Sequence, residues 1–327
     1  MRVAVLSGGV GGARFVRALV EVVGPAPVTV VGNVGDDVEV LGLRVSPDLD
    51  SVLYALAGLN DEERGWGRAG ETWQALGTVA SLGGESWFSL GDLDLGLHLV
   101  RTQALRRGEP LSTVTSRLAA ALGIETSLLP ATDDLLRTWI ATPAGEFPFQ
   151  EWFVARAHAD DVDAVRFEGA ETAAAAPGVL DAIGQADLLL IAPSNPYVST
   201  GPILAVREVR AALAARRVPC VAVSPLIGGR AVKGPADRML ARLAGGTSPR
   251  QVAHAYEGLI DALVVDEADA DDRDLHAGTA PRAASARRRR ASTSTIRVRV
   301  TIGRTSPSPS RSSASASSRT SASIKPK

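Results

Sequence analysis

The chain has 327 residues, a formal net charge of −1 and one cysteine, Cys220. A single cysteine excludes an intramolecular disulfide and favours a reducing, cytoplasmic location. No Asp or Glu follows Asp274, but twelve of the 35 Lys and Arg residues do, so the preceding part is strongly acidic. This argues against a nucleic-acid partner. No apolar run reaches the roughly 18–20 residues needed to cross a membrane, and the glycine-rich start does not resemble a signal peptide.

The chain begins with a predicted apolar strand, residues 3–6, followed by a glycine-rich turn and an amphipathic helix. The turn contains Gly8, Gly9, Gly11 and Gly12. Without Cβ atoms, such residues let backbone N–H groups approach phosphate oxygens at a helix N-terminus. The spacing is neither the dinucleotide pattern nor a P-loop. Alone, it is also compatible with a tight connection that binds nothing.

Tight pairs of carboxylates follow, beginning after a second predicted strand at residues 28–31. The pairs are Asp36 and Asp37, Asp48 and Asp50, Asp92 and Asp94, and Asp133 and Asp134. Mg²⁺ prefers one or two carboxylates together with phosphate oxygens, so these loops favour an enzyme with a phosphorylated, nucleotide-like substrate. Two of the pairs also have a structural interpretation: Asn33 with Asp36 and Asp37 as an Asx turn, and Asp48 or Asp50 as a helix cap after Pro47.

Two further apolar strands are predicted at residues 188–192 and 218–223. Continuous apolar strands that alternate with helices predict an α/β fold with a doubly wound, mostly parallel, Rossmann-like sheet. Ligands in such sheets bind at the carboxyl ends of the strands. Residues 65–152 contain all five tryptophans and predict an inserted, mainly helical region. We predict one catalytic domain at residues 1–275.

Residues 276–327 form a basic segment rich in Ser and Arg with few apolar side chains. Such a composition cannot bury enough surface to offset the entropy of ordering, so disorder is expected. One interpretation is a basic arm for a polyanion. The favoured one is sequence translated out of frame from GC-rich DNA.

Nine motifs occur in a characteristic order. They are SGGVGGARF (7–15), GNVGDD (32–37), LRVSPDLDSVL (43–53), RGWG (64–67), LGDLDLGLHLVRT (90–102), LPATDD (129–134), FQEWF (149–153), APSNPYVSTGPIL (192–204) and SPLIGGRAVKGP (224–235). Together they resemble the 2-phospho-L-lactate transferase family of coenzyme F-420 biosynthesis in its actinobacterial form. The resemblance covers residues 1–270.

The resemblance implies a Mg²⁺-dependent transferase that acts on Fo (7,8-didemethyl-8-hydroxy-5-deazariboflavin). Its ribityl hydroxyl would receive a phosphoenolpyruvyl or 2-phospholactyl group from a guanosine diphosphate donor. GMP would leave, and the product would be dehydro-F-420-0 or F-420-0. A homodimer with no membrane partner is also implied.

The resemblance also implies roles for individual residues. Asp48 and Asp50 would be catalytic, holding the metal ion and orienting the hydroxyl. The guanosine diphosphate part would contact Gly8, Gly9, Gly11, Gly12, Asn33, Asp36, Asp37, Ser194, Asn195, Pro196, Ser199, Gly228, Lys233 and Gly234. Fo and the donor acid would contact Asp50, Trp66, Ser89, Asp92, Asp94, His98, Arg101, Asp133 and Asp134, and residues 65–152 would bind the acceptor.

The C-terminus departs from the family, because its closing strand is recognisable only as a remnant at residues 296–302. Two other classes remain open. A dinucleotide-dependent oxidoreductase requires an acid at the end of the second strand, and residues 31–33 have none. A non-catalytic regulator that binds a nucleotide-sugar would share the glycine turn, but the motifs at 90–102, 129–134 and 149–153 favour the transferase.

Overall fold

A computed structural model describes residues 1–270 of the protein. The predicted tail at 276–327 and the candidate strand at 296–302 lie outside the described residues. No helix among residues 1–270 is both long and apolar enough to cross a membrane.

The described part contains thirteen strands and ten α-helices. The strands are β1 (Val3–Ser7), β2 (Val28–Gly32), β3 (Val38–Val40), β4 (Leu43–Val45), β5 (Ser127–Pro130), β6 (Arg137–Thr142), β7 (Gly145–Pro148), β8 (Ala164–Glu168), β9 (Leu188–Ile191), β10 (Cys220–Val223), β11 (Leu226–Ile227), β12 (Arg230–Ala231) and β13 (Ala262–Val264). The helices are α1 (Gly9–Val23), α2 (Pro47–Leu56), α3 (Gln74–Ser81), α4 (Asp92–Arg106), α5 (Leu111–Ala121), α6 (Val179–Gln185), α7 (Gly201–Ala205), α8 (Arg207–Ala214), α9 (Ala236–Ala244) and α10 (Pro249–Ala255).

The central sheet has six parallel strands in the order β13-β10-β9-β1-β2-β5. The prediction of an α/β fold with a mostly parallel sheet is therefore confirmed, and its four predicted strands are β1, β2, β9 and β10. The chain leaves β1 for β2 on one side and reaches β9 on the other. The carboxyl end of β1 is thus a switch point of the topology, where a ligand crevice is expected.

The two edge strands of this sheet were not predicted. Strand β5 has four residues and ends at Pro130, and β13 has three. Runs this short show almost no hydrophobic periodicity in the sequence. These strands form because the neighbouring strand of the sheet offers its unpaired N–H and C=O groups.

The interval 65–152 contains strands as well as the predicted helices. Helices α3, α4 and α5 end at Ala121, and the chain then returns to the central sheet as β5. Strands β7, β6 and β8 form a separate antiparallel sheet. In β6 the burial alternates, because side chains point in turn to the core and to the surface.

The core fixes helix α2, which carries two of the predicted catalytic residues. Leu49, Val52 and Leu53 of this helix are fully buried with the apolar strands β1 and β2. Burying one such side chain stabilises the fold by roughly 1.5–3 kcal/mol. Pro47 begins the helix at its first position, where its missing N–H costs nothing. The helix start is thereby held at the carboxyl edge of the sheet.

Candidate active site

The glycine turn after β1 packs against α2 and the segment that follows β9. A Cβ on Gly8 would lie 2.6 Å from the Ser199 carbonyl oxygen and 2.9 Å from Asp48 Oδ2, so no larger residue fits. Gly9 opens α1 with a φ of 68°, which favours glycine. The Ser194 hydroxyl donates to the Gly8 carbonyl oxygen at 2.7 Å. The structure thus brings together the predicted glycine, serine and aspartate residues of three separate motifs.

The end of β2 adds a buried amide to this site. Asn33 donates from Nδ2 to Asp48 Oδ2 at 2.8 Å and to the Val198 carbonyl oxygen at 3.2 Å. Its side-chain oxygen accepts from the Gly35 N–H at 2.8 Å. One fully buried side chain therefore orients Asp48 and ties the β2 loop to the segment after β9.

Four carboxylates converge beside Asn33 and interact electrostatically. Burial raises the pKa of Asp37 to about 7 and that of Asp48 to about 6, and the hydrogen bonds from Ser46 and Asn33 offset only part of this effect. Burial and the charge of Asp48 raise the pKa of Asp36 well above its usual value. Among residues 1–270, Oδ1 of Asp36 and Oδ1 of Asp37 are buried without a hydrogen-bond partner.

The fourth carboxylate, Asp50, is neutralised by Arg101 of α4. The guanidinium donates from Nη1 to Asp50 Oδ2 at 3.0 Å and from Nη2 to Asp50 Oδ1. Arg101 is fully buried, and despite burial the Asp50 charge holds its pKa above the usual value. Such a bidentate pair has defined geometry, because the planar fork of arginine matches a carboxylate. Both oxygens of Asp50 are thereby engaged.

The clustered carboxylates offer unpaired oxygens to a magnesium ion, but they do not form a complete set of metal ligands. In the described part of the chain, no three His, Cys, Asp or Glu side chains are spaced as a complete metal site. Mg²⁺ does not need such a cage, since one or two carboxylates and substrate phosphates hold it. The unpaired oxygens of Asp36 and Asp37, beside Asp48, are the donors that a cation would satisfy.

Helix α4 also carries Asp92, Asp94 and His98, and these lie in different surroundings. Asp92 accepts from the N–H groups of Gln74 and Ala75, at 3.1 and 3.0 Å, and so caps α3. His98 is buried, with Nε2 lying 3.3 Å from Asp94 Oδ1. The hydroxyl of Tyr54, which the sequence did not single out, donates to the same oxygen.

The carboxylates of the remaining predicted pair, Asp133 and Asp134, accept hydrogen bonds from other protein groups. Asp133 accepts from the N–H and the hydroxyl of Ser112, at 2.6 and 2.7 Å, at the start of α5. Asp134 accepts from the Ala174 N–H at 2.9 Å. No hydrogen bond joins either carboxylate to the four clustered ones. Ser89 is exposed shortly before α4.

A shallow pocket lies beside α1 and α2, next to the glycine turn. Its lining residues are Val10, Ala13, Arg14, Ser51, Ala55, Asn60, Asp61, Gly65, Trp66 and Gly67. Trp66 is 40% exposed, and its ring centroid lies 6.3 Å from that of Trp73. The Arg64 guanidinium lies 4.8 and 5.0 Å from these two rings. An exposed aromatic face at a pocket is suited to stacking on a planar heterocycle.

Two cations meet at the rim of this pocket. Lys233 donates from Nζ to the Gly65 carbonyl oxygen. A Cβ on Gly65 would lie 3.0 Å from Lys233 Nζ and 3.4 Å from Arg14 Nη2, so the two cations are close. Partial burial and the charge of Arg14 lower the pKa of Lys233. Within residues 1–270 neither side chain forms an ion pair. The sequence analysis did not single out Arg14, whose signal is its place two residues after Gly12 in the glycine motif.

The other predicted phosphate-binding loops are already satisfied by protein groups. The N–H groups of Gly228 and Gly229 donate to the Asp269 carboxylate at 3.0 and 2.7 Å. Asn195 accepts from the Tyr197 N–H at 2.9 Å and so shapes the turn around Pro196. Gly234 has a φ of 72° next to Lys233.

The comparisons with known proteins agree on one family. The family model for 2-phospho-L-lactate transferase CofD matches residues 3–301. Proteins named phosphoenolpyruvate transferase are 46% identical in Streptomyces griseus and 47% in Streptomyces coelicolor; in both cases the match covers 83% of this chain and 87% of the relative. The protein of that name from Mycolicibacterium smegmatis is 42% identical, with 82% and 89% covered.

Solved structures share the fold. Protein BH3568 of Bacillus halodurans superposes with a TM-score of 0.54 at 19% identity, covering 81% of this chain and 80% of that one. A second crystal structure of the same protein, described as a member of the upf0052 family, gives a TM-score of 0.54 at 18% identity, with 81% of both chains covered.

Proposed function

The chain belongs to the 2-phospho-L-lactate transferase CofD family, and from this membership we propose that it is a phosphoenolpyruvate transferase of coenzyme F-420 biosynthesis. The acceptor would be Fo, the donor a guanosine diphosphate ester, and the products GMP and dehydro-F-420-0. The names of its actinobacterial relatives favour the enolpyruvyl donor over the lactyl one. The observation that carries the proposal is the convergence of Asp36, Asp37, Asp48 and Asp50 beside the glycine turn.

The donor phosphates would lie between this turn and the two cations. The N-terminus of α1 is the positive end of a helix dipole, which favours negative charge, and the Gly9 N–H already interacts with Asp48 there. Arg14 and Lys233 lie near each other, and neither forms an ion pair in the described part of the chain. Their like charges repel each other, and an anion bound between them would offset this repulsion. A diphosphate at this rim would relieve that repulsion.

The acceptor ring would then stack on Trp66, beside Arg64. Trp66 belongs to the same pocket as Arg14, so one cavity offers both an aromatic face and a positive charge. The shared pocket supports a donor side and an acceptor side that lie next to each other. A transfer reaction requires that proximity, because the reacting atoms must be held about 3–3.5 Å apart.

In the reaction, the ribityl oxygen forms a bond to the phosphorus that bears the three-carbon acid. The bond from that phosphorus to the oxygen of GMP breaks, and the hydroxyl proton passes to a base. We assign this role to Asp48 rather than to Asp50, because the Arg101 guanidinium engages both oxygens of Asp50. A base must lie within hydrogen-bond reach of the proton that it accepts.

We propose Mg²⁺ as the cofactor, held by Asp48 together with Asp50 or with the unpaired oxygens of Asp36 and Asp37. When bound, the ion neutralises charge that develops on the phosphates. A homodimer and a cytoplasmic location are part of the same proposal. The alternative is a non-catalytic regulator that binds a nucleotide-sugar, and the relatives at 42–47% identity favour the transferase over it.

The test is mass spectrometry of the purified protein incubated with Fo, Mg²⁺ and each guanosine diphosphate donor. We expect GMP and a new mass equal to dehydro-F-420-0 with the enolpyruvyl donor. Asp48→Asn should abolish this product, whereas Asp163→Asn, which removes only a surface ion pair with Arg242, should not. Tight binding of a nucleotide-sugar with no product from any donor would favour the regulator instead.

A further inference from the structure

A continuous line of polar side chains connects helices α2 and α4 behind Asp50. Asp50 and Tyr54 are four residues apart on α2, and Asp94, His98 and Arg101 are spaced by four and three on α4. Residues at these spacings share one helix face, and side-chain bonds from Tyr54 to Asp94 and from Arg101 to Asp50 join the two faces. His98 and Arg101 are both at most 1% exposed.

Asp94 forms the far end of this line. Its Oδ1 accepts from the Tyr54 hydroxyl and lies 3.3 Å from His98 Nε2. Burial by itself raises the pKa of Asp94, but the His98 and Tyr54 interactions outweigh it, and the pKa falls below its usual value. Asp94 is thus an anion that faces a histidine nitrogen. Within the described residues, Nε2 has no other acceptor.

The other imidazole nitrogen faces a cation, and this determines where the proton lies. Arg101 Nη1 lies 3.3 Å from His98 Nδ1 and 3.0 Å from Asp50 Oδ2. A guanidinium can only donate, so this contact is a hydrogen bond when Nδ1 accepts and the ring proton is on Nε2, towards Asp94. Asp50 Oδ2 is farther from Nδ1, at 3.8 Å. An imidazolium would direct an N–H at Arg101.

We propose that Asp94 and Tyr54 are positioning residues that hold His98 in its neutral Nε2–H tautomer, so that His98 fixes the Arg101 guanidinium against Asp50. Asp94, Tyr54 and His98 need not touch a substrate for this role. The inference rests on the proposed function only in that it treats Asp50 as part of the reacting site.

The energetic reason lies in the burial of Arg101. Its Nε has no hydrogen-bond partner among residues 1–270, so the acceptor at His98 Nδ1 supplements the Asp50 bonds in fixing the rotation of the guanidinium. If His98 adopted the other tautomer, its Nδ1–H would point at Arg101 and push the guanidinium away. Asp50 would then be a buried carboxylate without its counter-charge, which is strongly unfavourable.

The test is ¹⁵N NMR of the full chain with labelled histidine. The protein has four histidines, so His98→Gln identifies the signals of His98 by difference. We expect His98 to be the neutral Nε2–H form in the wild type at pH 7.5, and to lose that single form in Asp94→Ala. A wild-type spectrum with Nδ1–H or with both nitrogens protonated would overturn the proposal, and this measurement needs no variant of Asp94.

Turnover provides the second readout. Partners that orient a site ligand typically contribute about 10–100-fold to activity, so Asp94→Ala should lower kcat at least about 10-fold with little change in the donor KM. Tyr54→Phe, which leaves Asp94 in place, should lower it less. The control is Glu109→Ala, which removes only surface ion pairs near the end of α4. Wild-type kcat in both Asp94→Ala and Tyr54→Phe would overturn the proposal. If the wild type showed no turnover, this would count against the proposed function. The NMR result would still decide the proposal about the His98 tautomer.

Discussion

Two groups of charged side chains lie near each other in this protein and differ in almost every respect. In the α2–α4 network, formed by Asp50, Tyr54, Asp94, His98 and Arg101, the charges are buried and oppositely paired. At the pocket rim, formed by Arg14, Lys233 and Trp66, two like charges stand near each other beside an exposed ring.

The difference suggests different roles. Charges that neutralise one another within the protein fix geometry before any ligand arrives, because separating them in a buried site is costly. Like charges held together gain stability only when an anion binds between them. The carboxylates Asp36, Asp37 and Asp48 lie between these extremes: Asp36 and Asp48 are buried like the network, Asp37 is half-buried, and all three are like-charged like the rim.

The largest expected effect comes from breaking the network at its cation. Arg101→Leu leaves Asp50 buried without its partner, so we expect the free energy of unfolding to fall by about 3–5 kcal/mol. Arg107→Leu removes an exposed arginine of the same helix region, and its surface pair should contribute nothing measurable. Urea unfolding of both variants measures the contrast. Equal stability of the two variants would show that the network is not what fixes α4.

The next effect concerns the like-charged carboxylates and depends on pH. Burial raises the pKa of Asp37 to about 7, whereas an unfolded aspartate titrates near ~3.9. Between these values the folded protein keeps a proton that the unfolded chain has lost, so stability falls as pH rises from about 4 to about 7. We expect Asp37→Asn to lack the part of this loss of stability that the ionisation of Asp37 causes.

Urea unfolding between pH 4 and 8, in EDTA, measures that difference. Asp37→Asn should be more stable than the wild type by about 1–3 kcal/mol at pH 8, and the gap should close towards pH 4. The side chain is only partly buried, which limits the effect. Mg²⁺ should narrow the gap at pH 8 if it binds these oxygens. A gap that does not change with pH would contradict the raised pKa.

A smaller effect is expected at the rim, on binding rather than on folding. Arg14→Ala and Lys233→Ala should each raise the KM for the guanosine diphosphate donor about 10-fold, equivalent to ~1.4 kcal/mol, and leave the stability unchanged. Arg17→Ala is the matched control, because Arg17 lies one turn further along α1 and is paired with Glu21 and Glu62. A similar KM in all three variants would show that Arg14 and Lys233 do not contribute to binding of the donor.

The sequence predicted the parts of both groups that lie within short motifs. Asp48 and Asp50 were singled out as a tight carboxylate pair and His98 by its spacing from Asp94, whereas Arg101 was named only through the family resemblance. Strands β1, β2, β9 and β10 were identified because each is a continuous apolar run. The parallel sheet followed from their alternation with helices.

What the sequence could not show was which side chains pair across the fold. The bonds from Arg101 to Asp50 join residues 51 apart, and the proximity of Arg14 to Gly65 and Lys233 joins three distant segments. Tyr54 looks like an ordinary core residue until α4 is packed against it. Likewise, the role of Asp92 as a cap of α3 depends on a helix with no buried residues, which has little apolar signal.

The smallest effect separates a structural carboxylate from a substrate-binding one. Asp133 resembles the site aspartates in sequence, but it accepts two hydrogen bonds from Ser112 at the start of α5, as a helix-capping carboxylate does. Asp133→Ala should therefore cost about 1 kcal/mol of stability and leave the KM for Fo unchanged. Ser112→Ala removes one of the same bonds and should give a smaller loss of the same kind. Thermal unfolding and Fo titration measure the two properties separately. A raised KM for Fo in Asp133→Ala but not in Ser112→Ala would instead assign Asp133 to the substrate, and would place the acceptor against β5 as well as against Trp66.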